Sequence, residues 1–454
     1  MSLRRTVPVL LAGAVGATVL LPLTAMSAQA VEQPAPGATA PASAACHPTR
    51  ANRPVCPAGA PLDKANFLDP TAKVVGAAEV ELEGQVYVGP FAELVAKRGT
   101  KITLGGETNV QDNVAVHAST PRSDSATAAL AQVGLTPTSG VVTGEKVILA
   151  HGSSVRGPAR LGVLAAGQKA PQPDSGVFVS FGAQVDGAVI ERDSGLSALS
   201  RVGPGVRLKT GLIVLPGKNV TTQAQAEDPA LGKVRPITEA DRKFNAGVIE
   251  VNVGLAREYS RLAKEKPSAV YGINVDPGGN VFDKRRDAPR VGSALCTGPD
   301  AVVPEFRNRI IGDACFEDSL RRLNFAMGSN ISIRADEGGP FGIGTIATMG
   351  DKVVFHALEG TDLRVGNRVR YGARTIVHGG GRPALDPTTG VSAPTIIGND
   401  VRLDDGAVVF RSLIRNKSRI GARSIVVGSE LAVGTRIAPR TVYANDKVFG
   451  PVEW

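Results

Sequence analysis

Aliphatic residues recur about every six positions over most of the chain, and each is usually followed by glycine or another small or acidic residue. Clear examples are KVVGAAEVELEGQVYVGPFAEL, ITLGGETNVQDNVAV and SRVGPGVRLKTGLIVLPGKNV. Such spacing predicts a parallel β-helix, in which each six-residue unit forms one short strand and a corner, and three units close a coil. The aliphatic side chains would then stack inside a narrow prism, and small residues would turn its corners.

The spacing changes to three and four between residues 237 and 266. The apolar positions of this segment are Val248, Val251, Leu255, Tyr259 and Leu262. They fall on one face of an amphipathic helix, which we expect to lie along the first β-helix. The hexapeptide spacing then resumes in RIIGDACFEDSLRRL, LRVGNRVRYGARTIV and PTIIGNDVRLDDGAVVF, and no helical period follows this second run. The sequence therefore predicts a β-dominated chain of two tandem parallel β-helices, the first followed by an α-helix.

These patterns divide the chain into five segments. They are a signal peptide (1–30), a tether rich in proline and alanine (31–66), a first β-helix with its helix (67–268), a connector (269–319) and a second β-helix (320–454). The first segment has an arginine pair, an apolar run and a small-residue motif ending at Ala30, as cleavable secretory signals do. We therefore expect a secreted, extracellular protein that is free of the membrane after cleavage. A retained membrane anchor is the alternative, and the arginine pair leaves open whether export uses the twin-arginine route.

Charge and cysteine content narrow the classes of partner. The net charge of +9 is spread along the chain without a basic run or interleaved aromatic residues, which argues against a nucleic-acid partner. The four cysteines form two pairs of near neighbours, Cys46 with Cys56 and Cys296 with Cys315. In an exported chain we expect disulfides within these pairs, although four cysteines permit three pairings. A metal site of Cys46, His47 and Cys56 is an alternative whose spacing matches none of the usual zinc motifs.

Four of the five histidines fall in two similar settings. His117 and His151 lie in NVQDNVAVHA and LAHGSSVRGPARLG, whereas His356 and His378 lie in VVFHALEG and YGARTIVHGG. A histidine in a hexapeptide ladder cannot point into the narrow apolar prism. All four side chains must therefore face outward, toward solvent or toward a neighbouring β-helix.

These segments and the helical stretch VIEVNVGLAREY resemble the gamma-class carbonic anhydrases. The resemblance covers most of residues 67–265 and 320–415. It implies left-handed β-helices and a metal held between neighbouring β-helices by three histidines, two from one and the third from the other. It also implies the reaction, in which a metal-bound hydroxide hydrates CO₂ to bicarbonate.

Neither half of the chain carries the whole histidine set. His117 and His151 match the first two family positions, but Arg156 stands at the third. In the second half His356 and His378 match the first and third positions, and Ala373 stands at the middle one. The omissions are complementary. Placed face to face, His151 of the first half and the two histidines of the second half would complete one metal site per domain pair.

The opposite pairing would bring His117 and Arg156 against Ala373. We expect no metal there, because a guanidinium repels a dication and cannot lose its proton to become a ligand. His117 and Arg156 are therefore predicted not to be ligands.

Other family site residues are divided between the halves in the same way. By the resemblance, the residues expected to act in catalysis are Gln111, Asn252, Glu337 and Glu359, and those expected to lock the interface are Asn109, Asp112, Arg334 and Asp336. Gln111 would orient the hydroxide, and the two glutamates would pass the released proton outward.

The resemblance implies Zn²⁺, for which three neutral imidazoles leave one position open to water. Fe²⁺ or Co²⁺ would suit the same ligands. We expect the site to form by pairing of the two β-helices within a chain or in a homo-oligomer. Two other functions share the fold. One is a catalytically inactive β-helix scaffold or anion-binding protein derived from the enzyme, and the other is a hexapeptide acyltransferase with a general-base histidine and no metal.

Overall fold

Parallel strands stack into two tandem β-helices, as the hexapeptide spacing predicted. The computed structural model describes residues 45–270 and 307–454, except 122, 166, 173, 313, 338–339, 359–360, 381 and 386–391. The predicted signal peptide, Cys296 and Glu359 lie outside the described residues.

The first β-helix has three sheets. Sheet A consists of Val80–Leu82, Ile102–Leu104, Val141–Thr143, Ala159–Leu161, Val189–Ile190 and Arg207–Leu208. Sheet B consists of Val55–Cys56, Asn66–Leu68, Tyr87–Val88, Asn109–Val110, Val147–Leu149, Val177–Val179, Ser194–Leu196, Leu212–Val214 and Val234–Pro236. Sheet C consists of Lys73–Val75, Glu93–Ala96, Ala115–Ala118, Ser154–Arg156, Gln184–Asp186, Arg201–Val202 and Asn219–Val220. The two outermost strands of sheet B pair antiparallel and so close its ends.

The second β-helix also has three sheets. Sheet D consists of Arg309–Gly312, Ser332–Ala335, Val354–Ala357, Ile376–Gly379, Val408–Phe410, Ile425–Val427, Thr441–Ala444 and the antiparallel Lys447–Pro451. Sheet E consists of Ala314–Phe316, Phe341–Ile343, Leu363–Val365, Thr395–Ile397, Leu413–Ile414 and Glu430–Leu431. Sheet F consists of Ile346–Met349, Val369–Tyr371, Arg402–Leu403, Arg419–Ile420 and Arg436–Ile437, and Arg382–Leu385 pairs with Ser392–Ala393 in a separate hairpin.

Strands of the second β-helix begin inside the segment assigned from sequence to the connector. Arg309–Gly312 pairs in parallel with Ser332–Ala335, and Ala314–Phe316 pairs in parallel with Phe341–Ile343. The apolar side chains of RIIG and ACF therefore add one more coil, with Ile310 and Phe316 buried in the prism core.

Helices lie outside the prisms. The α-helices are α1 (Asp124–Gln132), α2 (Gln223–Glu227), α3 (Glu239–Glu265) and α4 (Leu320–Ala326), and the 3₁₀ turns are Arg50–Asn52, Ala77–Glu79, Pro229–Leu231 and Pro267–Val270. Helix α3 is the predicted amphipathic helix, and its apolar face packs on the outer face of sheet B. There Tyr259 stacks on Phe67 and Tyr87, with ring centroids 5.1 and 6.2 Å apart. The helix thereby covers part of the face of sheet B that turns away from the prism.

A capping box starts α3. The Thr238 hydroxyl accepts the Asp241 N–H at 3.2 Å, and an Asp241 carboxylate oxygen accepts the Thr238 N–H at 2.8 Å. Hydrogen bonds from Arg235, with those from Thr238, lower the pKa of Asp241 to about 2. The carboxylate form is therefore bound more favourably in the folded protein than in the unfolded chain.

Asp241→Asn should lower the free energy of unfolding by about 1 kcal/mol at neutral pH, as loss of a helix cap does. A group whose folded pKa is depressed stabilises above its unfolded pKa and loses that contribution as pH falls toward its folded pKa. The difference in the free energy of unfolding between parent and variant, measured with urea, should therefore decrease as the pH falls from about 5 to about 3. Glu250→Gln on the same helix is the control. A difference independent of pH would contradict the role given to the carboxylate.

Three of the five apolar clusters among the described residues form the main cores, and the other two lie under α3 and α1. Two of the main cores lie inside the prisms and are largely aliphatic. The third lies between the β-helices, where outward side chains of sheet B such as Ile148 meet outward side chains of sheet D such as Ile376. Gly152 has a φ of +68°, and a Cβ there would lie 3.3 Å from Cδ1 of Ile376. A glycine at this corner lets the two β-helices approach closely.

The segment 452–454 crosses from the second β-helix to the first, and we call it the C-terminal clasp. Glu453 forms ion pairs with Lys218 at 3.2 Å and Lys233 at 2.5 Å. The Trp454 indole N–H donates to the carbonyl of Leu199 at 2.7 Å. The clasp therefore joins the two β-helices by polar contacts, and Val452 and Trp454 also pack at the edge of their shared core.

The disulfide expected between Cys46 and Cys56 is present, with a Cα–Cα distance of 5.9 Å. It removes both thiolates from the alternative metal site, and His47 instead contacts the carbonyl of Val80 at 2.7 Å. Cys315 is also disulfide-bonded. Its pairing with Cys296 stays a prediction. Among the helices that the structure describes, none has the length and hydrophobicity required to cross a membrane.

Candidate metal centre

Three of the four histidines singled out from the sequence meet between the two β-helices. His151 stands at a corner after strand Val147–Leu149, whereas His356 and His378 face each other in register on adjacent strands of sheet D. Nε2 of His151 lies 3.1 Å from Nδ1 of His356, which lies 3.1 Å from Nε2 of His378. All three rings are buried. One nitrogen of each ring therefore points to a common centre.

The alternation of side chains along each strand explains why these rings reach the interface. Phe355 and Ala357 point into the second prism, so His356 between them points outward. Val116 and Ala118 likewise point into the first prism, and His117 between them points outward. The difference lies in what covers each face. Sheet D is covered by the first β-helix and buries its histidines, whereas His117 on sheet C keeps 36% of its side chain exposed.

Contacts on the outer side of two rings determine which nitrogen carries a proton. Nδ1 of His378 lies 2.6 Å from the carbonyl oxygen of Gly379, which can only accept. Nδ1 is therefore the donor, and Nε2 presents its lone pair to the centre. Nε2 of His356 lies 3.1 Å from a carboxylate oxygen of Glu337 and 3.6 Å from one of Asp336, and these two negative groups favour a proton on that nitrogen. Such outer contacts fix the tautomers of metal-binding histidines.

The electrostatic surroundings of the three rings differ. Burial lowers the pKa of His151 and of His378 well below its usual value, and the nearby His356 lowers both further. Burial and Arg334 also act to lower the pKa of His356, but Glu337 and Asp336 outweigh them and raise it to about 9. His151 and His378 are therefore neutral near pH 7, the form in which imidazole binds a metal.

The donor set fits a small divalent cation. A tetrahedral site with Zn–N bonds of about 2.0–2.1 Å separates its ligand atoms by about 3.3 Å, close to the 3.1 Å between the histidine nitrogens. Asp336, Glu337 and His356 form a second group with metal-binding atoms close together. There Asp336 is already bound by Arg334 and Tyr259, so the three-histidine group is the better candidate.

A buried ionic cluster lies beside the histidines and joins the two halves. Nε of Arg334 lies 3.0 Å from a carboxylate oxygen of Asp112, and its Nη1 lies 2.6 Å from Asp336. None of these three side chains is exposed. Burial acts to lower the pKa of Arg334, but Asp112 and Asp336 raise it well above its usual value. The Tyr259 hydroxyl donates to Asp336, and Asp112 lies 3.8 Å from Nδ1 of His151. The structure thus brings together the three charged residues expected at the interface.

An apolar cavity of about 200 Å³ opens beside His356 and His378. Its polar lining includes Gln111, Asn252 and Glu337, each placed in the site by the sequence analysis. The Gln111 carboxamide oxygen accepts the backbone N–H of His151 at 3.3 Å. The Asn252 amide donates to the Val248 carbonyl at 2.8 Å, and its buried oxygen has no partner among the described residues. Much of the remaining wall is apolar, including Phe178, Phe181, Val248 and Leu358.

Other expected residues lie apart from the centre. Asn109 is buried on sheet B, and neither polar atom of its side chain has a partner among the described residues. The expectation that His117 and Arg156 face Ala373 stays a prediction. His117 lies 3.4 Å from Glu93, and Arg156 lines a cleft with Arg374. The apolar contact between the two β-helices is made by sheets B and D, and the part of sheet C around Arg156 borders the cleft beside it.

Phe181 is a site residue that the sequence analysis missed. Its ring centroid lies 5.9 Å from that of His151 and 4.9 Å from that of His378. The sequence offered one indication, because SFGAQV places a large aromatic residue just before a corner glycine where small residues prevail. The ring packs against two imidazoles and restricts their orientation.

One curated protein is similar in sequence. A carbonic anhydrase of Methanosarcina thermophila is 29% identical over 213 residues, which are 46% of this chain and 77% of that protein. No family model matches the chain.

Two solved structures match parts of the chain. A hexapeptide transferase family protein from Anaplasma phagocytophilum is 19% identical, with 43% of this chain and 93% of that chain covered and a TM-score of 0.18. A putative acetyltransferase from Desulfovibrio desulfuricans G20 is 12% identical, with 82% of this chain and 66% of that chain covered and a TM-score of 0.24.

Proposed function

We propose that this relative of the carbonic anhydrases is a gamma-class enzyme that hydrates CO₂ to bicarbonate at one metal site per chain. His151, His356 and His378 would hold the metal. The observation that carries the proposal is the convergence of one nitrogen from each of three buried imidazoles, two on one β-helix and one on the other. An isolated general-base histidine, as an acyltransferase would use, does not require this arrangement.

Zn²⁺ in this site would supply the Lewis acidity that makes hydroxide available from water near neutral pH. Fe²⁺ and Co²⁺ suit the same donors. The chain's own residues provide the rest of the chemistry. The apolar wall of the cavity admits an uncharged, apolar substrate such as CO₂. Gln111 borders both the cavity and His151, so its amide group is placed to orient the nucleophile.

Glu337 is placed to receive the proton that the reaction releases. Its carboxylate lies 3.1 Å from Nε2 of His356, and it also lines the cavity. Asn252, on α3, lines the same cavity, and its side-chain oxygen, which has no partner among the described residues, is available to accept a hydrogen bond from water. Glu359 would continue the proton path. The ionic cluster of Arg334 with Asp112 and Asp336 would hold the two β-helices in register and has no chemical step of its own.

Metal analysis and CO₂ hydration assays test the proposal directly. The purified protein should contain about one equivalent of divalent metal per chain. Treatment with a chelator should abolish CO₂ hydration, and addition of Zn²⁺, Co²⁺ or Fe²⁺ should restore it. Protein that takes up no metal would favour an inactive scaffold. Acyl transfer from a thioester donor that survives chelation would favour the acyltransferase.

We also propose that the enzyme acts outside the cell, on the basis of the signal-like residues 1–30. Cell fractionation should place the activity in the medium or cell envelope, and N-terminal sequencing should begin after Ala30. Activity confined to the cytoplasmic fraction with an intact N-terminus would overturn this proposal.

A further inference from the structure

A second cavity, of about 300 Å³, opens between the two β-helices. Its lining shares no residue with the cavity beside the histidines. Four cationic side chains line it, Arg156 from the first half and Lys352, Arg374 and Arg423 from the second. No aspartate or glutamate is among its described lining residues. We call this cavity the basic cleft.

The cations of the second half stand on one corner of the β-helix, between sheets F and D. Lys352, Arg374, Gly406 and Arg423 occupy this corner on successive coils, as the backbone hydrogen bonds from each coil to the previous one show. Coils of a β-helix lie about 4.8 Å apart, and like charges at such spacing repel each other. Gly406 carries no side chain, which leaves a gap between Arg374 and Arg423. The exposed guanidinium groups of Arg374 and Arg423 therefore project from one corner on either side of an open space.

The neighbouring carboxylates do not neutralise these arginines. Glu93 pairs with Lys352 at 3.3 Å, and Asp186, beside Arg156 in the sheet, pairs with Arg201 at 3.2 Å. Within the described part of the chain, none of the three cleft arginines forms an ion pair. Guanidinium groups are suited to oxyanions because they bind carboxylate and phosphate through two parallel hydrogen bonds.

The rest of the cleft offers apolar contact and a further donor. Val354, Ile376 and Val408 line it, and the Trp454 indole lies 5.7 Å from the Arg423 guanidinium. The hydroxyl of Ser153 also lines the cleft. Ser153 is 1% exposed, and its hydroxyl has no partner among the described residues. A buried hydroxyl without a partner is available to donate to a bound oxyanion.

We infer that the basic cleft binds a small polyvalent anion whose phosphate or carboxylate groups are held by Arg156, Arg374 and Arg423. The site is independent of the metal centre and of the proposed reaction. Arg156 stands where the family has a metal ligand, so the same replacement that leaves the first half without a complete histidine set supplies a cation to this cleft.

Trp454 makes the binding measurable, because it is the only tryptophan of the chain. The full chain is titrated with pyrophosphate and, separately, with citrate at constant ionic strength set with NaCl. We expect a saturable change in tryptophan emission with at least one of them. Saturation by pyrophosphate alone would identify phosphate as the ligand group, and saturation by citrate alone would identify carboxylate. Thermal unfolding provides a second readout, since a bound anion should raise the melting temperature.

The double variant Arg156→Gln/Arg374→Gln should raise the dissociation constant at least about tenfold, a loss of about 1.4 kcal/mol. Arg160→Gln, an exposed arginine outside the cleft, is the matched control and should bind as the parent does. CO₂ hydration by the double variant is measured separately. Loss of anion binding therefore tests the basic cleft, and the hydration rate tests the proposed reaction at the metal centre. The inference is overturned if neither anion saturates the emission change or raises the melting temperature below about 10 mM. It is also overturned if the double variant binds as tightly as the parent.

Discussion

His151→Ala should abolish metal binding and lower the rate of CO₂ hydration by more than about a hundredfold, because changes outside the ligand shell alone cost ten- to a hundredfold. His151 is the one histidine that the first β-helix contributes to the cluster. Its ring is buried, its Nε2 lies 3.1 Å from His356, and none of its neighbours can replace it as a nitrogen ligand. Metal content by mass spectrometry and stopped-flow hydration kinetics measure the two effects.

His117→Ala is the matched control, because it removes a histidine at the equivalent strand position. His117 keeps 36% of its side chain exposed, and its Nε2 lies 3.4 Å from a carboxylate oxygen of Glu93. This variant should retain one equivalent of metal and most of the activity. Circular dichroism establishes that both variants fold. Equal losses of metal and of CO₂ hydration activity in the His151 and His117 variants would show that the chain does not use an asymmetric site.

Arg334→Leu should lower the free energy of unfolding by about 3–5 kcal/mol, the cost of removing one partner of a buried ionic cluster. The substitution leaves Asp112 and Asp336 buried at the interface without their shared cation. Urea unfolding monitored by circular dichroism measures the change. Arg364→Gln is the control, because Arg364 is 67% exposed and its pair with Asp362 should contribute less than about 1 kcal/mol.

A combined variant separates charge from packing. Adding Asp112→Asn and Asp336→Asn to Arg334→Leu removes the two unpaired charges and should recover part of the lost stability. If the triple variant is less stable than Arg334→Leu alone, the loss arises from packing and hydrogen bonding, and the electrostatic explanation fails.

The fold follows from the sequence because the prism imposes a local requirement on nearly every position. An aliphatic residue every six positions leaves few alternatives to a β-helix, and α3 is recognisable from its apolar face. The grouping of His151, His356 and His378 was also predictable, since each half lacks what the other supplies. This inference used the resemblance, because periodicity alone places four histidines outward without distinguishing a buried face from an exposed one.

Contacts between distant segments could not be predicted. Arg309 and Asp69 form a buried ion pair at 3.0 Å although 240 positions separate them. Glu453 of the clasp forms ion pairs with Lys218 and Lys233. The sequence around Glu453 and the sequence around the two lysines do not indicate that these residues pair. Whether a second pair of faces meets depends on the relative placement of whole β-helices, which no short segment encodes.

The clasp and the buried ionic cluster tie both halves of one polypeptide together, and this affects how the histidine cluster responds to dilution. If a separate molecule supplied one of the three imidazoles, the cluster would lose that imidazole once the protein concentration fell below the dissociation constant of the assembly. Here the β-helix that supplies the third imidazole belongs to the same polypeptide. Its effective concentration at the site therefore stays fixed when the protein is diluted.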